Sequence, residues 1–364
     1  MAEATPLHVL LAGGGTGGHV FPALAVGEEL AARGWRVSFA GSEAGLEARI
    51  VPERGIPFHA LPSRPLVGRG PLAKAQSLAV AGRSAFTAAL LLRRIGAQVV
   101  LGTGGYASAP AVLGARLAGR PILLLEPNAR AGVANRWLSG WASGAVVGWR
   151  EALDDLKCPG WVTGVPVRAA FSAVPTALPP APLRLLVLGG SQGAQQINQA
   201  LPQAARLLAD RLPDLAILHQ AGARNLEAAR QAWAEAGFGN DECVEVVPFL
   251  DDVAGAMARS HLLVSRAGAI TLAEICAAGR ASLLVPLSIA QGHQIDNARV
   301  LADAGAAEMI ASGELTPEGL AERLLALLED LPRLARMGKA ARGLSHPRAA
   351  AEIADRLEAL GGLR

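Results

Sequence analysis

Two glycine-rich turns, one in each half of the chain, constrain the fold most strongly. The first turn, residues 13–18, follows an apolar run at 7–12 that has the length and composition of a β-strand. The second turn, residues 189–194, follows a similar run at 183–188. A helical pattern comes after each turn. A strand, a glycine turn and a helix in this order predict a close backbone approach to a ligand, with the helix N-terminus facing a phosphate.

A single turn of this kind is weak support for ligand binding, because tight packing of a strand on a helix also requires glycine. A dinucleotide oxidoreductase uses one such turn with an acidic residue about 20 residues later, and Glu43 lies near that position. That alternative leaves the second turn and the polar residues after 264 unexplained. The repetition favours two domains of the same architecture.

Short apolar runs alternate with helical patterns in both halves. Further strands are predicted at 35–40, 98–101, 121–125, 144–147, 216–220, 244–247, 262–265 and 283–286. Because such runs are apolar on both faces, we expect parallel sheets covered by helices on both sides. The predicted fold class is therefore α/β, with two doubly wound Rossmann-like domains facing an interdomain cleft.

A proline-rich segment near the middle of the chain marks the expected domain boundary. Prolines stiffen a segment and interrupt regular hydrogen bonding, so we take 166–183 as a linker. The N-terminal domain is predicted at 1–165 and the C-terminal domain at 184–344. The last segment, 345–364, is expected to be helical at its end and to pack back on the first domain.

Composition excludes several classes of protein. Apolar residues make up 51% of the 364 residues and charged residues 18%, which is typical of a globular protein. A net charge of +3 with one tyrosine gives no reason to expect nucleic acid as a partner. The three cysteines are far apart and odd in number, which argues against a disulfide framework or a zinc site. With no apolar run of membrane-spanning length and no leader pattern, we expect a cytoplasmic protein.

The segment after the predicted strand 262–265 carries the most specific chemistry. Arg266 can add positive charge to a diphosphate at the N-terminus of a helix that begins near Ala269. Glu274 lies within that helix and can accept hydrogen bonds from two ribose hydroxyls, although a solvated helix charge is the alternative. Polar residues at 291–297 suit sugar hydroxyls, or else form a polar loop with a helix cap.

Four motifs in a fixed order resemble the MurG family. They are Gly-Gly-Gly-Thr-Gly-Gly-His at 13–19, Gly-Gly-Tyr at 104–106, Gly-Gly-Ser-Gln-Gly-Ala at 189–194 and Ser-Arg-Ala-Gly-Ala-x-Thr-x-x-Glu at 265–274. The resemblance covers essentially the whole chain. Members of this family are the N-acetylglucosaminyltransferases of bacterial peptidoglycan synthesis and have the GT-B fold. The resemblance implies that the N-terminal domain binds lipid I (undecaprenyl-diphosphoryl-N-acetylmuramyl-pentapeptide) and that the C-terminal domain binds UDP-N-acetylglucosamine.

The resemblance also implies roles for individual residues. For the acceptor and its diphosphate these are Gly14, Gly15, Thr16, Gly104, Gly105, Tyr106 and Asn135. For the donor they are Thr16, Gly17, Asn128, Arg168, Ser191, Gln192, Leu250, Arg266, Ala269, Ile270, Glu274, His293 and Gln294. Within the donor set, Arg168 and the backbone near Leu250 are implied to meet the uracil and Ser191 the diphosphate. Glu274 is implied to meet the ribose. Gln294, with His293 and Asn128, is implied to meet the transferred sugar.

The expected reaction is an inverting transfer in which the C4 hydroxyl of the acceptor displaces UDP and forms a β-1,4 bond. His19 stands beside a helix N-terminus, which disfavours the imidazolium and suits a general base. A histidine that only caps or packs is the alternative to this hypothesis. Glu126 is the other candidate base.

We expect no obligatory metal and no other cofactor. The chain has no Asp-x-Asp pair of the kind that holds a metal on a nucleotide-sugar diphosphate. Helix N-termini, Ser191 and Arg266 can stabilise the leaving UDP instead, as fixed dipoles and charge.

An anionic membrane surface is a further expected partner, because the acceptor is a membrane lipid. The apolar residues of the expected patch are Leu66, Leu72, Leu78, Val80, Phe86 and Leu90, and the basic ones are Arg64, Arg69, Lys74, Arg83, Arg93 and Arg94. Such a surface fits peripheral binding at the cytoplasmic face of the membrane, although an ordinary amphipathic helix on the sheet is the alternative. Cell-wall synthesis proteins are expected as further partners.

Several positions depart from the usual pattern of the family. The family commonly has His-Glu-Gln-Asn where this chain has Leu125-Glu126-Pro127-Asn128, and Gly-Asn-Pro-Val-Arg where this chain has Val165 in second place. An acidic residue is common near Gln291. Two alternatives therefore stay open: a GT-B UDP-sugar transferase with another lipid acceptor such as diacylglycerol, and a non-catalytic UDP-sugar-binding scaffold.

Overall fold

The chain divides into two units, each built on one parallel sheet. The computed structural model describes residues 6–63, 71–190, 193–239, 241–287 and 293–362. For residues 71–78 it describes the backbone only. The first unit comprises Met1–Val167 and His346–Arg364, and the second comprises Arg168–Ser345.

The first unit contains a seven-stranded sheet. Its strands are β1 (His8–Ala12), β2 (Arg36–Gly41), β3 (Phe58–Ala60), β4 (Val99–Gly102), β5 (Ile122–Glu126), β6 (Gly144–Val147) and β7 (Gly160–Val162). All pairings are parallel, and the spatial order is β3-β2-β1-β4-β5-β6-β7. The strand order reverses between β1 and β4, so the loops after these two strands lie at the switch point where ligands bind in such sheets.

Helices cover this sheet because its central strands are apolar on both faces. The helices are α1 (Gly17–Ala32), α2 (Glu47–Glu53), α3 (Pro71–Ile95), α4 (Ala109–Leu117) and α5 (Val133–Leu138). All five residues of β1 and all four of β4 are buried. Burial on both faces excludes the alternation of apolar and polar residues that a half-exposed sheet requires.

The second unit repeats the architecture with six strands. They are β8 (Arg184–Leu188), β9 (Ala216–Gln220), β10 (Val244–Val247), β11 (Leu262–Ser265), β12 (Ala281–Leu284) and β13 (Ala307–Met309). The order is β10-β9-β8-β11-β12-β13, and every pairing is parallel. The switch point lies between β8 and β11, which are followed by the second glycine turn and by the 265–274 motif.

Eight helices surround the second sheet among the described residues. They are α6 (Ala169–Ser172), α7 (Gln195–Leu208), α8 (Leu226–Glu235), α9 (Val253–Ala258), α10 (Ala269–Ala278), α11 (His293–Asp303), α12 (Pro317–Leu328) and α13 (Leu331–Gly343). Leucines of α7 and α12 pack in one core with residues of β8 and β11. This buried apolar area is the main stabilising contribution to the unit.

The final helix, α14 (Ala349–Gly361), packs against α1 of the first unit. Ile353 and Leu357 lie in the same apolar core as Val9 and Leu101. At the rim, the guanidinium of Arg33 donates hydrogen bonds to carboxylates of α14. The C-terminal segment therefore completes the core of the first unit.

The segment 166–183 packs on the second unit over part of its length. Phe171 is fully buried, and the fully buried Arg280 donates a hydrogen bond of 2.8 Å to the carbonyl oxygen of Pro175. Arg342 donates to the carbonyl oxygens of Ser172 and Val174. The second unit consequently begins at Arg168, inside the segment taken as a linker.

The predicted fold class, two doubly wound Rossmann-like domains, is confirmed, with differences in detail. β12 spans 281–284 rather than 283–286, because Pro286 has no N–H to continue a ladder. The short strands β3, β7 and β13 were not predicted; each has only three residues and partly exposed positions. None of the helices described is both long enough and apolar enough to cross a membrane.

Candidate functional site

The first glycine turn positions His19 in the first turn of α1. Thr16 is the N-cap residue of α1, and its side chain makes no capping hydrogen bond. The ring atom Nδ1 of His19 lies 2.8 Å from the carbonyl oxygen of Thr103, at the end of β4. A carbonyl oxygen only accepts, so Nδ1 carries the hydrogen, and the neutral ring keeps its lone pair on Nε2. This is the tautomer that a general base acting through Nε2 requires.

The glycines of the second motif lie against the same imidazole. A Cβ at Gly104 would lie 3.3 Å from Cε1 of His19, and one at Gly105 would lie 3.1 Å from Cδ2. Both residues have positive φ, at 87° and 73°, which favours glycine. Tyr106 continues this loop, and its ring lies beside Gly15 of the first turn. The structure therefore brings His19, Gly15 and the 104–106 turn together, as the sequence predicts.

A buried carboxylate is hydrogen-bonded to the backbone of the first glycine turn. Glu47, at the start of α2, is fully buried and accepts a hydrogen bond of 3.1 Å from the backbone N–H of Gly15. Its second oxygen accepts one of 2.9 Å from Ser42. Gly14 lies so close to this carboxylate that a Cβ there would collide with it. Gly15, implied for the acceptor and its diphosphate, thus has its backbone N–H bonded to Glu47.

Glu126 ends β5 and forms the centre of a hydrogen-bond cluster. Its carboxylate is 2% exposed and accepts from the backbone and side chain of Asn128, at 3.0 and 2.9 Å. The other oxygen accepts from Gly132 and from the side chain of Asn135, each at 2.9 Å. The structure therefore connects three residues of the predicted set: Glu126, Asn128 and Asn135.

The second glycine turn has an analogous support in the second unit. The side chain of Gln220, at the end of β9, accepts from the N–H of Gly190 at 3.0 Å and donates to its carbonyl oxygen at 3.2 Å. Gly190 and Gly193 have positive φ. Ser191 and Gln192, which are predicted for the donor diphosphate, lie outside the described residues.

The 265–274 motif forms the loop after β11 and the start of α10. Gly268 is the N-cap residue, Ala269 and Ile270 are the first two helical residues, and the first turn holds no acidic residue. The guanidinium of Arg266 donates to the carbonyl oxygen of Val285, to Ser312 and to Gln196, at 3.0 to 3.2 Å. Arg266 thus brings a cation close to this N-terminus while it braces the surrounding loops.

Glu274 and Arg168, predicted to contact the ribose and the uracil, influence one another in the structure. Burial raises the pKa of Glu274 to about 7, and the charge of nearby Arg168 opposes that shift. Among the described residues none donates a hydrogen bond to the carboxylate of Glu274. Its acceptor capacity is therefore available to hydroxyl groups of a ligand.

Three further predicted donor residues belong to the second unit: Leu250, His293 and Gln294. Leu250 is half-buried in the loop after β10, beside the exposed Phe249. His293 begins α11, and the side-chain oxygen of the next residue, Gln294, accepts from the N–H of Leu287 at 2.9 Å. Asn297 is fully buried and donates to the carbonyl oxygen of Ala267, which fixes the loop before α10. Gln291 lies outside the described part of the chain.

Within the described ranges, no group of three or more His, Cys, Asp or Glu side chains could hold a metal ion. The described candidate residues in the loops after the strands include backbone N–H donors, side-chain amides and single charged side chains. This chemistry suits sugar hydroxyls and phosphate oxygens.

Known proteins show extensive similarity to this chain. Residues 9–147 match the N-terminal domain of glycosyltransferase family 28, and residues 184–356 match its C-terminal domain. The UDP-N-acetylglucosamine–N-acetylmuramyl-(pentapeptide) pyrophosphoryl-undecaprenol N-acetylglucosamine transferase of Aromatoleum aromaticum is 44% identical, over 98% of each chain. The protein of the same name from Methylibium petroleiphilum is 42% identical, again over 98% of each. The crystal structure of Acinetobacter baumannii MurG is 33% identical, covers 97% of this chain and 100% of its own, and superposes with a TM-score of 0.83.

The chain belongs to the MurG family. Its two Rossmann-like domains are those of a GT-B glycosyltransferase, as the sequence predicts. One departure from the MurG pattern has a structural explanation. Leu125 lies in β5 with its side chain fully buried in the apolar core, so this position does not present a polar group to a ligand.

Sequence reasoning missed Glu47 and Gln220, which support the two glycine turns. Glu47 is 32 residues from Gly15, and Gln220 is 30 residues from Gly190. The signal that could have found Glu47 is the flanking glycine pattern, since Gly41 and Gly45 both leave room for its side chain. Gln220 ends an apolar strand at its carboxyl end, where a polar residue is informative in a parallel sheet.

Proposed function

We propose that this protein transfers N-acetylglucosamine from UDP-N-acetylglucosamine to the C4 hydroxyl of lipid I, which gives lipid II for peptidoglycan synthesis. The relatives from Aromatoleum aromaticum and Methylibium petroleiphilum, which align with this chain across 98% of their own length, carry the name of this transferase. The observation that carries the proposal for this chain is His19. Thr103 orients its ring beside two glycine turns, with the lone pair on Nε2.

The reaction proceeds as a single displacement with inversion. The C4 oxygen of the acceptor attacks the anomeric carbon of the donor, and its proton passes to Nε2 of His19. The new C4 oxygen–carbon bond forms as the bond to the UDP oxygen breaks, and that electron pair leaves with UDP. The carbonyl oxygen of Thr103 remains a hydrogen-bond acceptor for the imidazolium that forms, which favours proton transfer.

The second unit is assigned to the donor. The N-terminus of α10, which lacks acidic residues in its first turn, suits the diphosphate. Arg266 adds a fixed positive charge, and Glu274 accepts from the ribose hydroxyls. Ser191 and Arg168 contribute to the diphosphate and uracil ends. Because these groups can stabilise the leaving UDP, no bound metal is required in this proposal.

Release of UDP tests the proposal. Purified protein is incubated with UDP-N-acetylglucosamine, with and without a lipid I analogue, in the presence of a chelator. UDP release that depends on the acceptor and persists with the chelator is expected. No release despite intact donor binding would favour the scaffold alternative, while activity lost to the chelator and restored by magnesium would overturn the metal-free mechanism.

Substitution of His19 tests its role as base. Because a positioned base contributes about 10²- to 10⁴-fold, His19→Ala is expected to lower kcat by that factor while donor affinity stays unchanged. His19→Gln is the matched control, since its amide can still donate to Thr103 but cannot take the proton. An active His19→Gln variant would show that His19 only packs or caps.

We also propose peripheral binding to an anionic membrane through one face of α3. Phe86 and Leu90 are 63% and 50% exposed, whereas Ala85, Ala88 and Leu92 of the same helix are buried. The large apolar side chains therefore point away from the core. Leu117 of α4 is 58% exposed, and Arg83, Arg93 and Arg94 are exposed on α3. Exposed apolar side chains with nearby cations suit an anionic lipid surface.

Part of the predicted patch lies outside the described residues: Arg64, Leu66, Arg69, and the side chains of Leu72, Lys74 and Leu78. Sedimentation with anionic vesicles tests the described part. The double variant Arg83→Glu with Phe86→Ser is expected to stay in the supernatant while the wild type sediments. Arg211→Glu on the second unit is a charge-matched control and is expected to sediment normally. Unchanged sedimentation of the double variant would refute the assignment.

A further inference from the structure

We propose that Gln196 and Ser312 are positioning residues of the donor site: they hold the guanidinium of Arg266 through uncharged acceptors, so that its positive charge stays available for the diphosphate of the donor. This inference rests on the proposed transferase function. It deepens that function, because neither Gln196 nor Ser312 belongs to the set of residues that the sequence analysis assigns to the donor.

The side chain of Arg266 connects segments that follow four strands of the second sheet. Arg266 itself comes directly after β11. Its Nη1 donates to the carbonyl oxygen of Val285, after β12, at 3.0 Å, and to the hydroxyl of Ser312, after β13, at 3.2 Å. Its Nη2 donates at 3.1 Å to Oε1 of Gln196, in the first turn of α7, the helix that follows β8. Ligands of such sheets bind at this carboxyl edge.

The hydrogen-bond directions at Ser312 follow from its two partners. Ser312 begins a short 3-10 turn and is 6% exposed. The carbonyl oxygen of Pro286 only accepts, so the single hydroxyl hydrogen of Ser312 is donated to it. A lone pair of the same hydroxyl oxygen accepts from Nη1 of Arg266, because a guanidinium only donates. Ser312 therefore fixes Arg266 relative to the backbone after β12.

All three acceptors of the guanidinium are uncharged: a carbonyl, a hydroxyl and an amide oxygen. Burial lowers the pKa of Arg266, and no acidic group among the described residues opposes that shift. The side chain nevertheless stays cationic, since the ordinary pKa of arginine lies far above neutrality. Neutral acceptors fix the geometry of a guanidinium without cancelling its charge, whereas a carboxylate in the same place would cancel it.

The surroundings of Arg266 favour an anion as the partner of this charge. Arg266 lies three residues before Ala269, where α10 begins, and the first turns of α10 and α7 hold no acidic residue. Three of the five guanidinium N–H groups are used by the acceptors, so Nε and one N–H of Nη2 have no partner among the described residues. A charged donor near a helix N-terminus binds phosphate oxygens more strongly than it binds hydroxyls.

Substitution of Gln196 by glutamate tests the importance of an uncharged acceptor. Gln196→Glu keeps the length of the side chain and its acceptor oxygen, but it places a carboxylate against the guanidinium of Arg266. Kd for UDP is expected to rise about fivefold, because the new ion pair competes with the diphosphate. Kd for uridine, which has no phosphate, is expected to stay unchanged. Calorimetric titration measures UDP binding, and competition against UDP measures uridine binding.

The matched control is Gln195→Glu. Gln195 is the first residue of α7 and is exposed like Gln196, but Arg266 donates no hydrogen bond to it. This control adds the same charge at the same end of the helix, so a clearly smaller rise in Kd for UDP is expected. An equal rise in the two variants, or a rise in Kd for uridine as large as that for UDP, would overturn the role of Gln196.

A double-variant cycle tests Ser312. Ser312→Ala removes one acceptor of Arg266, so Kd for UDP is expected to rise about threefold. Arg266→Gln alone is expected to raise it about tenfold or more. Ser312→Ala added to Arg266→Gln is expected to cause no further loss, because Ser312 acts through Arg266. Additive losses would overturn the role of Ser312.

Ser260→Ala is the control for loss of a buried hydroxyl. Ser260 is 4% exposed and donates to the carbonyl oxygen of Ala256, without a contact to Arg266, so Kd for UDP is expected to stay near that of the wild type. Thermal unfolding identifies any variant that fails to fold. Gln196 is exposed, so Gln196→Glu carries the test if Ser312→Ala does not fold.

The outcomes separate this inference from the proposed function. Undiminished UDP binding by Arg266→Gln would overturn the inference and leave the transferase function intact, because transfer of the sugar is measured separately. A wild-type protein that neither binds UDP nor transfers the sugar would instead overturn the proposed function, and this inference with it.

Discussion

The carboxylate of Glu47 and the amide of Gln220 are each hydrogen-bonded to the backbone of one glycine turn. Glu47 bonds to the N–H of Gly15, and Gln220 bonds to both the N–H and the carbonyl oxygen of Gly190. Both side chains are buried, so these hydrogen bonds do not compete with water. Each turn thus has one buried side chain, distant in the sequence, that is hydrogen-bonded to its backbone.

Substitution of Glu47 is expected to destabilise the first unit. Glu47→Ala leaves the N–H groups of Gly15 and Ser42 without partners, which costs about 2–5 kcal/mol of unfolding free energy. Glu43→Gln is the matched control, because Glu43 is exposed in the same loop; a change below about 0.5 kcal/mol is expected. Urea denaturation measures both. Equal stability of the two variants would show that Glu47 does not support the turn.

The protonation of Glu274 is expected to control donor binding near neutral pH. Its pKa is raised to about 7 by burial, and the ionised carboxylate is the stronger acceptor for the proposed contact with the ribose hydroxyls. As the pH falls from 8 to 6 the ionised fraction falls to about a tenth, so Kd for UDP-N-acetylglucosamine is expected to rise by up to about tenfold. Calorimetric titration measures this slope. Glu274→Gln is expected to bind more weakly without it, and an identical slope in that variant would contradict the assignment.

The sequence indicates candidate reactive side chains more readily than it indicates the residues that support them. His19, Glu126 and Glu274 lie within short motifs whose residue types already indicate their chemistry. The four donors around Glu126 could not be predicted, because they converge only once α5 packs against the end of β5. The roles assigned to the individual site residues stay predictions until the substitutions are made.

Three elements of the second unit are joined by a buried polar cluster. The ring of His219 in β9 accepts from the indole N–H of Trp233 in α8 at 3.0 Å, and it donates to the side-chain oxygen of Asn198 in α7, also at 3.0 Å. Asn198 in turn donates to the carbonyl oxygen of Ala221, after β9. Each ring nitrogen has one partner, which requires a neutral imidazole.

This cluster predicts a loss of stability in mild acid. Burial lowers the pKa of His219 from 6.5 to about 4. Above pH 6.5 the His219 ring is neutral in both the folded and the unfolded protein. Between pH 6.5 and 4 only the unfolded chain binds the proton. The free energy of unfolding therefore falls by up to about 3 kcal/mol over this range. Urea denaturation across this range, compared with His219→Gln, isolates the contribution. Parallel losses in both proteins would contradict it.

The strands and helices that the sequence predicts well are the ones buried on both faces. β1 and β8 are continuous apolar runs followed by glycine, and their observed bounds differ from the predicted ones by a single residue. β3, β7 and β13 are shorter and partly exposed, so they lack that pattern. Their pairing depends on the neighbouring strand rather than on their own residues.

Across the whole molecule, the chain returns to its first unit only at its end. The second unit occupies Arg168–Ser345, and α14 then completes the core around β1 and β4. The sequence analysis expected the last helix to pack back on the first domain, and α14 lies in the core of the first unit. The cleft expected between the domains stays a prediction.

The activity proposed for this protein is the transfer of N-acetylglucosamine onto a polyprenyl-diphosphoryl-muramyl acceptor. The most direct measurement follows a radiolabelled sugar from UDP-N-acetylglucosamine into lipid extracted after incubation with lipid I. One labelled N-acetylglucosamine per acceptor is expected, in a β-linkage to the C4 oxygen, and this transfer is expected to be lost in His19→Ala. Label that stays in the aqueous phase, or that enters diacylglycerol in place of lipid I, would contradict it.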